Sequence, residues 1–373
     1  MTGRTNYAKK TEQKALKRET AVDPLRIRLS NQVTLAVPPR LDSITTYVLL
    51  EQETWFEKEL GFLSRWLKPG MTAIDVGANL GVYSLPMARL VGTQGRIYAY
   101  EPGSEARMLL EQSRTINTAN NLEIFDLALS DGVREGRLIL GSSSELNALG
   151  DTGEGETVPI TSLDNEDATR GWASPDFIKI DAEGEEERIL AGGKNFFQRH
   201  SPLVMFEIKA GDKINSNLCL AFPAMGYRLF RLLTGAQILI PFDPNSPLDA
   251  FELNLFAAKP ARVQSLRDEN ILVDNIPAWE PTMEAVTDGV SFLRSQVFAP
   301  MFGDKPRDPG QLDPVYAKTL AAYAAWRSDQ LPTDVRYAAL VFGYRTCRLM
   351  QSCAHDRALF NICPAGLGRR MAR

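Results

Sequence analysis

Two histidines and four cysteines in 373 residues leave this chain short of the side chains that most often bind zinc or form disulfides. No two cysteines stand in the paired short spacing of a structural zinc site, and Cys347, Cys353, His355 and Cys363 lack it as a set. Cysteines this few suit reduced thiols in a cytoplasmic protein. No apolar run approaches the roughly 18 residues of a membrane-crossing helix, and the N-terminus lacks the apolar core of a secretion signal. An excess of positive charge is also absent. The net charge of −4 argues against a general nucleic-acid binder, whose affinity rests on neutralising phosphates. The expectation is a soluble, cytoplasmic protein.

What is present points to a nucleoside site. Thr72–Val76 is a short apolar run, and Val82–Leu90 continues with helical spacing, so Asp75-Val76-Gly77-Ala78-Asn79-Leu80-Gly81 joins a strand to a helix. Such a turn aims backbone N–H groups at a ligand, and Gly77 and Gly81 let the chain bend tightly. Asp75 can accept a hydrogen bond from a cationic or N–H-bearing group. The spacing G-x-N-x-G departs from the G-x-G-x-x-G of a dinucleotide fold, which disfavours a nicotinamide dehydrogenase. A second strand, Arg96–Tyr100, leads into Glu101, an acid placed to hold the two hydroxyls of a ribose. Phe177–Ile180 and Leu203–Phe206 run into Asp181, Glu183 and Glu207. Four strands thus finish with acids at one edge of a presumed parallel sheet, where open α/β sheets bind ligands.

Asp75-Val-Gly-Ala-Asn-Leu-Gly-Val-Tyr, Tyr100-Glu-Pro, Ala128-Leu-Ser-Asp and Lys179-Ile-Asp-Ala-Glu-Gly, in this order, resemble the FkbM family of S-adenosylmethionine-dependent methyltransferases. The resemblance runs from about Leu49 to Lys259, including Trp55-Phe56-Glu57 and Pro69-Gly70; Glu185-Glu186 departs from the family's usual Ala-Glu. It implies an α/β fold, the doubly wound, mostly parallel, seven-stranded class I methyltransferase (Rossmann-like) sheet, with O-methylation as the usual chemistry and S-adenosylmethionine as cofactor. On that footing Glu101 contacts the ribose, while Gly77, Asn79 and Gly81 line the turn beside the methionine portion. Asp75 orients that turn, Asp126–Leu129 with Ala128 flanks adenine, and Asp181 completes the cofactor set.

Methyl transfer to a hydroxyl needs its proton removed, and Asp181, Glu183 and Glu207 are the candidate bases. Clustered carboxylates raise one another's pKa. The same oxygens alternatively suit a divalent cation, although no metal is assigned. Lys179 shares a sheet face with Asp181 and reads as a charge partner of the acids. An amine acceptor, or a non-catalytic cofactor-binding scaffold, are the alternatives to O-methylation. His200 reads as a helix-terminus residue.

The chain divides into a polar, basic tail and lead-in (1–45), a methyltransferase domain (46–260), and a linker with a helical C-terminal extension (261–373). Ile27–Pro39 reads as a strand pair and Leu49–Leu67 as one amphipathic helix. Ser104–Asn120 reads as a helix capped by Ser104, and Leu122–Leu129 as a third core strand. The polar stretch Gly141–Glu156 is either a substrate lid or a mobile loop. Tyr227–Leu233 and Phe251–Ala258 read as a closing hairpin. Leu320–Arg327 and Val335–Met350 are expected helices whose apolar faces must pack on the core, on a partner, or in a homodimer.

Overall fold

A computed structural model describes residues 23–150, 152, 155–210, 213–245, 253–297 and 312–351. The basic tail, much of the expected linker, and Cys353, His355 and Cys363 lie outside them. The chain forms two compact units, one of residues up to Glu57 with Leu67–His200, the other of Lys58–Trp66 with the residues from Ser201 onward.

In the first unit, β1 (Leu25–Arg28) and β2 (Thr34–Val37) form the expected antiparallel pair. The core is a parallel sheet of β3 (Thr72–Val76), β4 (Arg96–Tyr100), β5 (Leu122–Phe125) and, after the smaller strands, β10 (Phe177–Ile180), in the order β10-β3-β4-β5. Helices Ser84–Val91 and Ser104–Ile116 follow β3 and β4. The inner strands β3 and β10 are buried along almost their whole length, and Asp75 and Lys179 are the charged residues that interrupt their apolar runs. The register sets Lys179 directly beside Asp75, because β10 pairs with β3 as Ile178↔Ile74 and Lys179↔Asp75. Side chains paired in this way leave the sheet on one face.

Four expectations are corrected here. Leu49–Leu67 is two helices, Ile44–Gln52 and Glu59–Trp66. Glu53 adopts a left-handed conformation (φ 53°) and its N–H caps the Leu49 carbonyl, which stops the first helix despite its continuing apolar period. Leu122–Leu129 is likewise two strands: β5 ends at Phe125, and β6 (Ala128–Leu129) joins a separate sheet with β7 (Arg134–Ile139), β8 (Ala148–Leu149) and β9 (Gly155–Thr161). Helix Ser104–Ile116 is capped by Gly103; the Ser104 hydroxyl instead donates to Glu156 at 2.7 Å. Gly141–Glu156 is no plain loop, since its described residues include a 3₁₀ turn (Ser144–Leu146), β8 and the start of β9.

In the second unit, β11 (Leu203–Glu207) is followed by the short pair β12 (Lys209–Ala210) and β13 (Lys213–Ile214), then β14 (Arg228–Leu233), β15 (Ile238–Pro241) and β16 (Asn254–Ala258). The order β15-β14-β16-β11 is antiparallel throughout, so the expected hairpin of β14 with β16 carries β15 as an added edge strand. Helix Glu59–Trp66 packs Phe62 edge-on to Phe256, with ring centroids 5.1 Å apart. Helices Pro260–Asp268, Met283–Arg294, Pro314–Arg327 and Thr333–Gln351 complete the unit. Trp326, Tyr337 and Leu340 are buried with Leu233 and Ile238 of β14 and β15. The apolar faces that suggested a homodimer therefore find a surface within their own unit.

Candidate active site

The turn after β3 is built around its glycines. Gly77 has φ 74°, and a Cβ there would lie 1.8 Å from the Asp181 backbone carbonyl, so only glycine fits where β10 ends against the turn. The N–H groups of Gly77 and Ala78 both donate to the Tyr100 carbonyl, at 3.0 and 3.1 Å. Asn79 sits in the left-handed region (φ 46°), a conformation its side chain tolerates better than most. Gly81 (φ 87°) brings the backbone against Leu110, whose Cδ1 would lie 2.4 Å from an added Cβ.

Glu101 follows β4 and is buried. Its two oxygens accept backbone hydrogen bonds from Asn79 (2.8 Å) and Gly103 (2.7 Å). Burial drives its pKa up to about 7 against the opposing pull of those two N–H groups. A carboxylate offers about four acceptor positions, so two remain for hydroxyl donors. Arg107 clamps the same corner by donating to the carbonyls of Glu101 (3.1 Å) and Pro102 (2.8 Å).

Asp75 points the other way, into the interior. It is fully buried and accepts from the Ser84 hydroxyl at 2.5 Å, with the Lys179 Nζ 3.7 Å from its other oxygen. Burial raises its pKa, opposed by Lys179 and Ser84. Lys179 is also buried and donates to Asp181 at 2.8 Å. Burial alone would lower its pKa, but Asp181 and Asp75 outweigh that and raise it. The shorter distance makes Asp181 the main partner, leaving Ser84 as the closest support of Asp75. The charge-partner role expected of Lys179 is the one its geometry shows.

Asp181 and Glu183 are half-buried just past β10. Glu183 is held in the left-handed region (φ 49°) and is followed by Gly184 at φ 104°. Its pKa rises to about 7, first from burial and then from Asp181 and Glu186, with Lys179 opposing. Glu186 turns back to accept from the N–H groups of Ala182 (2.9 Å) and Gly184 (3.2 Å), fixing the loop that carries both acids. Glu207 ends β11 in the second unit. Ala128 lies buried in β6, three residues beyond the end of β5. His200 closes helix Lys194–His200 and bonds Asp167 at 2.8 Å, a structural placement.

Several residues of this neighbourhood escaped the motif reading. Tyr83 donates its phenol proton to Glu57, and the Lys179 Nζ sits 5.2 Å from the Tyr83 ring centroid. Burial raises the pKa of Glu57, offset in part by that phenol. Both residues stand within quoted motifs, but nothing in their spacing pairs positions 26 apart. Ser144 donates to the Asn79 side chain at 2.9 Å, so the strap 143–147 reaches the glycine turn. Glu145 beside it accepts from the N–H and hydroxyl of Thr45. No sequence period signals either contact.

The site thus offers a buried acid with spare acceptor capacity, a tight backbone cradle, and a pair of half-buried acids backed by a charged lysine. No curated protein sequence matches the chain. Among solved structures it is similar to a methyltransferase FkbM from Methylobacillus flagellatus, at 15% identity and TM-score 0.36, over 50% of this chain and 43% of that one. The chain thus spans less than half the length of that protein. It is also similar to a SAM-dependent methyltransferase from Aquifex aeolicus, at 16% identity and TM-score 0.33, covering 58% and 94% of the two chains. A fibrillarin from Aeropyrum pernix in complex with natively bound S-adenosyl-L-methionine aligns at 14% identity and TM-score 0.31, over 52% and 67%. The family model of the methyltransferase FkbM domain matches residues 75–229, from the acid of the glycine turn into β14. That stretch of the chain is a methyltransferase FkbM domain.

Proposed function

We propose that this domain transfers a methyl group from S-adenosylmethionine to a hydroxyl oxygen of a sugar or secondary metabolite, within a class I sheet spanning residues 46–260. The observation that carries the cofactor half of this reading is Glu101. It is a buried carboxylate at a strand end, held by two N–H groups and keeping two acceptor positions for a ribose diol. Gly77, Asn79 and Gly81 line the cradle, Asp75 braces it through Ser84, and Ala128 follows the strand that flanks adenine. When bound, the cofactor supplies a methyl carbon on a positively charged sulfur.

The protein's own share is orientation and proton removal. Holding the acceptor oxygen in line with the methyl carbon can lower the barrier by roughly 7–11 kcal/mol in favourable systems. Glu183 is the preferred base, because a carboxyl poised near neutrality both ionises and accepts a proton effectively. Asp181, already engaged by Lys179, serves to orient the cofactor or acceptor. Glu207 is the third candidate acid. A cytoplasmic enzyme fits this chemistry.

Calorimetric titration with S-adenosylmethionine tests the reading. The wild type binds, and Glu101→Ala weakens binding by about 1–3 kcal/mol, the worth of hydrogen bonds to a charged group. Ribose hydroxyls favour the ionised carboxylate, so binding below pH 7 releases protons in the wild type and not in the variant. Absence of binding by folded protein, or equal affinity of the variant, overturns it. A methyl ether formed from hydroxyl acceptors and not from amines separates O- from N-methylation.

A further inference from the structure

The strap 143–147 lies in the connection from β7 to β8, and the pairing of Leu138 with Leu149 and Ile139 with Ala148 fixes both ends of that connection. Side chains hold it in between. Glu145 accepts from the backbone N–H and the hydroxyl of Thr45, and the Ser144 hydroxyl donates to the Asn79 side chain at 2.9 Å. The strap is thereby a built part of the first unit, set beside the turn that carries Asn79.

It brackets the buried carboxylate of Glu101. Asn79, whose N–H donates to one oxygen of Glu101, is the residue that Ser144 touches. Gly103, whose N–H donates to the other oxygen, lies beside Asn147. A Cβ at position 103 would stand 2.8 Å from Glu101 Oε1 and 3.4 Å from Asn147 Nδ2, so the two side chains look into the same small space. Gly103 has φ −67°, a backbone that any residue adopts, so glycine serves here to keep that space clear.

The orientation of Asn147 follows from its other bond. Its Oδ1 accepts from the Gly141 N–H at 2.9 Å, which leaves Nδ2 on the side of Gly103. That nitrogen donates to nothing among the described residues, Glu101 included. An amide nitrogen carries two N–H donors, and an ionised carboxylate only accepts. A sugar hydroxyl has one proton to give and two lone pairs to receive with. Glu101 meets the proton and can offer nothing to the lone pairs. Asn147 offers the donor that Glu101 lacks, from the far side of the same space.

We propose that Asn147 is a ribose-binding residue, its amide donating to a hydroxyl oxygen of the nucleoside whose proton Glu101 accepts, and that the strap 143–147 is a wall of the cofactor site. The proposal rests on the cofactor reading given above and extends it to a residue outside the motifs that carry the family resemblance.

Calorimetric titration of the full chain with S-adenosylhomocysteine, and with its 2′-deoxy and 3′-deoxy forms, tests it. The wild type binds the parent ligand and binds more weakly the deoxy form that lacks the shared hydroxyl. Asn147→Ala weakens the parent ligand by roughly threefold to tenfold, the worth of one neutral hydrogen bond. Against that one deoxy form the same variant costs nothing further, a result that a merely structural role would not produce. Asn147→Asp keeps an acceptor for the Gly141 N–H and removes the donor, so it shows at least the same loss should the alanine variant loosen the strap. If folded wild type binds neither S-adenosylmethionine nor S-adenosylhomocysteine, the cofactor reading fails and this proposal with it. Wild-type binding that Asn147→Ala leaves unchanged, or a loss of equal size against the parent and both deoxy forms, overturns the proposal alone and leaves the role of Glu101 standing.

Discussion

The two units bury very different things. Among the described residues, the charged side chains buried in this chain (Asp75, Glu101, Glu166, Asp167, Lys179, Glu185 and Glu186) all belong to the first unit. The second unit buries Asn254 and Thr319 as its polar residues and otherwise fills its interior with groups such as Ala321, Ala322, Ala325, Trp326 and Leu340. Withdrawing a charge from water is expensive, and its attraction to a partner repays this only with good geometry. Part of that cost falls in the glycine turn and the loop after β10, at Asp75, Glu101, Lys179 and Glu186, while Glu166 and Asp167 pair with Arg170 and His200. The second unit is the cheaper kind of structure, close-packed and dry. The contrast separates a unit that buries charge from one whose described interior is almost wholly apolar.

The largest expected effect breaks the contrast at its charged end. Lys179→Met removes the cation from a buried cluster and leaves Asp75 with Ser84 as its remaining close partner. Urea denaturation should show a loss of about 3–5 kcal/mol. Asp75→Asn added to Lys179→Met should recover part of it. A loss no greater than that of an exposed lysine would show that the cluster is not desolvated. A smaller effect is expected in the apolar unit. Gly289 lies where helix Met283–Arg294 meets helix Pro314–Arg327, and an added Cβ would stand 2.6 Å from the Leu320 backbone. Overpacking costs about 1–3 kcal/mol, offset by about 1 kcal/mol of helix propensity, so Gly289→Ala should lose up to about 2 kcal/mol net in the same assay. A gain would mean that the helices have room to separate.

The smallest effect sharpens the contrast through pH. Glu183 has its pKa raised to about 7, so its contribution favours folding while the carboxyl is protonated and is lost as pH rises from about 4.5 through 7. After solvent screening this amounts to about 1 kcal/mol. Glu183→Gln should flatten the stability profile across that window, measured by thermal melts at a series of pH values. An unchanged slope would assign the titration elsewhere.

Much of the reacting part was legible beforehand because parallel strands announce themselves. Thr72–Val76, Arg96–Tyr100 and Phe177–Ile180 are mostly apolar runs of strand length and are followed within three residues by acids or glycines, which places turn and carboxylates together without any knowledge of packing. The break at Glu53 was not legible. A left-handed residue leaves no mark on apolar periodicity, and Trp55 and Phe56 continued the pattern of Leu49 and Leu50 by coincidence. The division of Leu122–Leu129 was hidden for a similar reason, since Asp126-Leu127 alternates as a strand would while the chain is changing sheets. Contacts such as Ser144 with Asn79 join polar residues far apart in sequence, where no spacing rule reaches.

That change of sheets has a mechanical consequence. Only Asp126 and Leu127 separate the strand that closes the parallel sheet from the strand that opens the smaller one, and the smaller sheet carries the strap ending at Ser144. The two sheets are coupled like a door and its frame through a very short hinge. A displacement at Ser144 has two routes back to the glycine turn. One is direct, through Asn79, and the other runs through the backbone step that follows β5. The strap and the glycine turn thus share both a side-chain contact and a backbone path.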